Sequence, residues 1–141
     1  MKRTFISLVL LLTVGAQRSA AGEILVVSGP NFTVKKELTK EQVRLAFLGK
    51  PASVDGVQLH ALDRKEHSVK TNFYKQVVGR TSVEMKAYWS EQVFTSLGYP
   101  PPVAADLNDL KKQLSDSKDE ISYVDGSENT SGLNVLMRVS Y

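Results

Sequence analysis

Leu59-His-Ala-Leu-Asp-Arg-Lys-Glu-His-Ser-Val-Lys-Thr-Asn-Phe73 is the stretch whose reading decides the fold. It continues an alternation that begins at Val57: Val57, Leu59 and Ala61 interleave with Gln58, His60 and Leu62, so residues 57–62 read as a strand. Asp63 to His67 is a polar connection. Val69, Phe73 and Val77 then recur every four residues until Gly79, which is the pattern of a helix with one apolar face. In an open α/β sheet, ligands collect beyond the carboxyl ends of strands and beside helix N-termini. Free backbone N–H groups and the helix dipole favour an anion there. Arg64 can grip an oxyanion with its guanidinium fork, and Ser68 can donate from its hydroxyl. These two are the candidate binding pair. The same residues have a purely structural reading: Asp63 as helix cap, Glu66 closing a capping box, and Ser68 as one more helical residue.

The neighbouring elements extend the α/β pattern in both directions. Glu23-Ile-Leu-Val-Val27 is a buried strand ended by the turn cluster Ser28-Gly29-Pro30-Asn31. Thr39 and Gln42 form a capping box that opens a helix with Val43, Ala46 and Phe47 on its apolar face; Gly49 and Pro51 stop it. Thr81 opens a third helix that runs to about Phe94 and carries Tyr88 and Trp89. Trp89 is expected to tie that helix to the sheet. Pro100, Pro101 and Pro102 break the chain. Asp106 caps a fourth helix bearing Leu107, Leu110 and Leu114. Ile121–Val124 is a strand, 125–132 a polar loop, and the last strand lies within 133–141. Strands alternating with helices argue for an α/β sheet covered by helices.

Of the 18 basic residues, Lys2, Arg3 and Arg18 precede Gly22, where there is no acid, so the remaining 15 balance the 15 acids. The net charge of +3 belongs to the first 21 residues, and the rest gives no footprint for nucleic acid. Those 21 residues read as a secretory signal. Lys2 and Arg3 start it, Phe5 to Val14 is apolar, and Ser19-Ala20-Ala21 supplies small residues for cleavage before Gly22 or Glu23. Residues 22–141 are then the mature, periplasmic or secreted domain, with no membrane insertion after cleavage. The chain has no cysteine, which excludes disulfides, thiol catalysis and Cys-ligated metals.

Three segments in order carry a family resemblance. Leu45-Ala-Phe-Leu-Gly-Lys50 resembles the "iFLGK" signature of the phosphate-binding proteins of phosphate ABC transporters, which are type 2 periplasmic binding proteins. Asp119-Glu-Ile-Ser-Tyr-Val124 resembles their "GaIGYV" strand. Between them, Asp63-Arg-Lys-Glu-His-Ser68 stands in the place of the "R…SGT" phosphate loop, with the same Arg-to-Ser spacing. The likeness covers nearly all of 23–124 and is to one lobe of a two-lobed family. It implies a single-lobe type 2 periplasmic-binding-protein-like domain, a mixed sheet flanked by helices. It also implies non-catalytic binding of phosphate or another small oxyanion at Arg64, Ser68 and the main chain of Val69. Val69 and Lys70 replace the family's Gly-Thr. The alternative is a periplasmic protein–protein interaction module that has lost ligand binding and uses the surface a second lobe would cover.

Other chemistries find little to work with. His60, Asp63 and His67 are metal-ligand types, but the only two histidines straddle a strand end and a turn, so no metal is expected. No G-x-S-x-G elbow surrounds Ser68, and no enzyme activity or cofactor is expected.

Overall fold

A computed structural model describes residues 22–65 and 67–141. The signal expected at 1–21 lies outside them, as does Glu66. β1 (Glu23–Ser28) is the strand on which the domain is built. Ile24 and Val26 enter one apolar cluster, Leu25 and Val27 another. A strand covered on both faces needs a continuous apolar run rather than an alternating one, and that is what 24–27 supplies.

α1 (Lys40–Phe47) starts at Thr39, whose side chain accepts from the Gln42 N–H while the Gln42 side chain accepts from the Thr39 N–H. Val43, Ala46 and Phe47 are buried, as the apolar spacing predicts. The strand expected over 57–62 is three short pieces instead. β2 (Ser53–Val54) and β3 (Val57–Gln58) form a hairpin; β4 (His60–Ala61) joins the main sheet; β5 (Asp63–Arg64) leaves it. Asp55 and Gly56 have φ of 50° and 78°, the positive values a two-residue hairpin turn requires. That turn commits Val57 and Gln58 to a local partner and breaks the run.

α2 (His67–Phe73) passes into a π turn, Tyr74–Val78, closed by Gly79 at φ 77°. α3 (Ser82–Phe94) is capped by the Thr81 side chain. β6 (Val103–Ala104) follows the proline run, and α4 (Leu107–Ser115) is capped by Asp106. β7 (Glu120–Asp125) and β8 (Asn134–Ser140) complete the chain.

The four-stranded sheet has the order β4-β7-β1-β8. β4 runs parallel to β7, while β1 is antiparallel to both β7 and β8, so the sheet is mixed. Phe47 on α1 and Val69 and Phe73 on α2 pack on the face holding Ile24 and Val26; Leu110 and Leu114 on α4 pack on the other. The result is a helix–sheet–helix arrangement, the fold class expected. β5 stands outside this sheet and pairs in parallel with β6, Asp63 opposite Val103. The chain thus leaves the sheet just after β4, and the candidate site is built at that exit.

Candidate functional site

Asp63 is 5% exposed, and a carboxylate so buried needs several donors. It has them. One oxygen accepts from the Tyr123 hydroxyl at 2.6 Å and the Arg64 N–H at 2.8 Å. The other accepts from the Tyr74 hydroxyl at 2.7 Å and pairs with Lys70 Nζ at 3.3 Å. Burial above all, and then the Asp63 charge, pushes both phenols far above the usual tyrosine range, so they stay protonated donors. The Phe73 ring stacks on Tyr123 at 3.9 Å and holds it in place. Tyr74 opens the π turn, and π turns recur at functional sites because they re-aim side chains.

Arg64 is turned the other way. Its side chain is 2% exposed, and its two terminal nitrogens lie 2.7 and 2.9 Å from the two oxygens of Glu128. One of them also donates to the Tyr123 carbonyl at 3.3 Å. Glu128 accepts in turn from the Asp125 N–H. The fork predicted to hold an anion therefore holds a carboxylate of the chain itself. Among the described residues, every buried side-chain polar atom has a partner.

Beside this network lies an open cleft of about 360 Å³. Asp63, Lys65, Lys70 and Thr71 line one side, Ser82, Met85, Lys86 and Trp89 of α3 another, and Pro100, Pro101 and Val103 a third. The proline wall is fixed by sequence: prolines at 100–102 cannot donate, but the Pro102 carbonyl accepts from the Asp63 N–H at 2.8 Å and stitches the segment to β5. Lys70 is matched by Asp63. Among the described residues, the side-chain ammonium groups of Lys65 and Lys86 have neither hydrogen bond nor ion pair. The cleft thus carries two cations beyond its one balanced pair, next to an indole face.

Of the three residues singled out from the sequence, none lines this cleft, although their neighbours do. Ser68 is exposed on the first turn of α2, and Val69 sends its side chain into the core, leaving only main chain to a ligand. His60 is at the surface, 3.2 Å from Asp119. Among the described residues, no three His, Asp or Glu side chains gather as metal ligands do. Trp89, expected to tie α3 to the sheet, packs against the apolar cluster on the α1 and α2 face of the sheet. It is half-buried, edge-on to Tyr88, and against Gly49 after α1, while the Tyr88 hydroxyl donates to the Leu48 carbonyl at 2.6 Å. Sequence reasoning missed Glu128, Tyr74 and the lysine pair Lys65 and Lys86. Glu128 lies 64 residues from Arg64, and no local pattern announces it.

No family model and no curated protein matches the chain. Among solved structures it is similar to the crystal structure of a possible phosphate binding protein from Planctomyces limnophilus DSM 3776. The TM-score is 0.53 at 16% identity, over 82% of this chain and 40% of that one. At that identity the likeness is one of fold, and this chain spans less than half of its neighbour's length.

Proposed function

We propose that this is an exported, non-catalytic binding protein whose ligand is phosphate or another small oxyanion. The observation that carries the reading is the cleft at the end of β5. Lys65, Lys70 and Lys86 converge there against one carboxylate, and Thr71 and Ser82 add hydroxyl donors. Long-range attraction of an anion to such a cleft follows from its net positive charge. The fold shared with a possible phosphate binding protein supports the same reading. Ser68 and the Val69 main-chain N–H, on the first turn of α2, are a second place for the ion. Arg64 serves either place by holding Glu128 and the 125–128 turn. Export rests on the charged, apolar and small-residue order of 1–21.

Calorimetric titration of residues 22–141 with inorganic phosphate tests the reading. Saturable binding weakened several-fold by Lys65→Ala and by Lys86→Ala supports the cleft. Weakening by Ser68→Ala alone moves the ion to the α2 turn. The absence of binding at millimolar phosphate overturns the reading.

A second reading has its own observation. Phe94, Leu97 and Tyr99, at and beyond the end of α3, are 90, 73 and 73% exposed. Exposed apolar side chains in one segment mark a protein-interaction surface. A periplasmic interaction module would show no phosphate binding and would self-associate or pull down a partner through Phe94.

A further inference from the structure

The cleft is larger than an oxyanion needs, and one of its walls is apolar. At about 30 Å³ per water, its 360 Å³ has room for roughly a dozen waters. That places it in the size range of small organic ligands rather than of a bare ion. Met85 and Tyr74 are buried at its base, while Trp89 and Pro101 are half-buried and Pro100 and Val103 exposed along its sides. Lys86 lies one turn before Trp89's neighbour Ser90 on α3, so a cation and an indole are offered from the same helix. An inorganic ion uses the lysines and leaves the indole and prolines wet. A ligand with a planar apolar body and an anionic head satisfies both, because an aromatic ring gains from contact with indole and proline faces and the head from the unpaired ammonium groups.

We infer that the ligand is a phosphomonoester of a planar aromatic group, its phosphate held by Lys65 and Lys86 and its ring laid against Trp89 and the proline wall. The inference rests on the oxyanion reading of the same cleft and adds the body of the ligand to it. It takes its specificity from Trp89, which the oxyanion reading does not use.

Trp89 is the only tryptophan of the chain, so its emission reports the cleft directly. The test uses residues 22–141 and three probes: phenyl phosphate, inorganic phosphate and phenol. Phenyl phosphate is expected to bind about tenfold more tightly than phosphate, a difference of 1.4 kcal/mol, and to shift or quench the Trp89 emission. By calorimetry, Trp89→Leu should erase that tenfold preference while leaving phosphate binding in place. Lys86→Ala, at an exposed position, should weaken both phosphate-bearing probes and leave the fold intact. Equal affinity for phosphate and phenyl phosphate overturns the inference and leaves the oxyanion reading standing. Phenol binding as tightly as phenyl phosphate overturns both, as does binding of none of the three.

Discussion

The Arg64 guanidinium and the Glu128 carboxylate face each other as two parallel hydrogen bonds of 2.7 and 2.9 Å, across 64 residues of chain. The guanidinium is almost wholly buried and the carboxylate is partly so. A pair in this position ties the end of β5 to the turn after β7, and so fixes the strand that carries Asp63 and leads directly into Lys65.

Removing either partner should therefore be a stability event. Breaking a buried pair from one side costs about 3–5 kcal/mol. Arg64→Ala and Glu128→Ala should each fall in or just below that range, since Glu128 keeps some contact with water. The double variant should cost clearly less than the sum, by about 1 kcal/mol or more. Urea unfolding of the four proteins measures this. Additive losses would mean that the two side chains act independently.

Gly29 should not tolerate a side chain. A Cβ there collides with the Leu114 carbonyl at the end of α4. Gly29→Ala must push α4 from the sheet and should cost about 2 kcal/mol or more. Gly56→Ala provides the contrast: its Cβ meets nothing within 4 Å, and only its φ of 78° opposes the change, about 1 kcal/mol. Thermal unfolding of the two variants should rank them in that order.

Thr39→Ala should cost about 1 kcal/mol by removing one half of the reciprocal cap on α1. Thr39→Ser should restore most of it, because the hydroxyl is the acceptor. Denaturation midpoints of the two proteins decide the point.

Acid should act on this domain in two opposed ways. Hydrogen bonds from the Ala105 N–H and the Gln113 side chain hold the Asp109 carboxyl below its ordinary value of 3.8. Those from Ser127 do the same for Asp125. A carboxyl lowered by folding stabilises the native state above its unfolded value, and that contribution is lost as pH falls from about 4. Glu120 has the opposite sign. Burial, then the charge of Asp119, raises it above 4.5, so its ionised form opposes folding and protonation relieves it. Stability should fall below pH 4 in the parent. Asp125→Asn should flatten that fall, and Glu120→Gln should raise stability at pH 7. Chemical denaturation at a series of pH values reads all three slopes.

Local patterns in the sequence settle the helices and the long strands of this protein, and the reason is that their determinants are close in sequence. The Thr39–Gln42 box, the Thr81 and Asp106 caps and the Gly79 stop each act within a few residues. The unbroken run at 24–27 is legible for the same reason, and with the alternating order of elements it gives an α/β sheet covered by helices. The segment 59–73 is also correctly marked as the place where the chain leaves the sheet into a helix. What the chain does at that place belongs to tertiary structure. The Asp55-Gly56 turn captures Val57 and Gln58 and splits the expected strand. Pairing with β6 lifts Asp63 and Arg64 out of the main sheet and sets prolines 100 and 101 across the cleft from them. Arg64 faces Glu128, and Asp63 collects two tyrosine hydroxyls, one of them from a strand 60 residues away. Charge and hydrogen bonding act through space at a few ångströms. Spacing along the chain therefore marks where a basic loop and a helix start meet, and only the folded chain decides which cations remain free to bind.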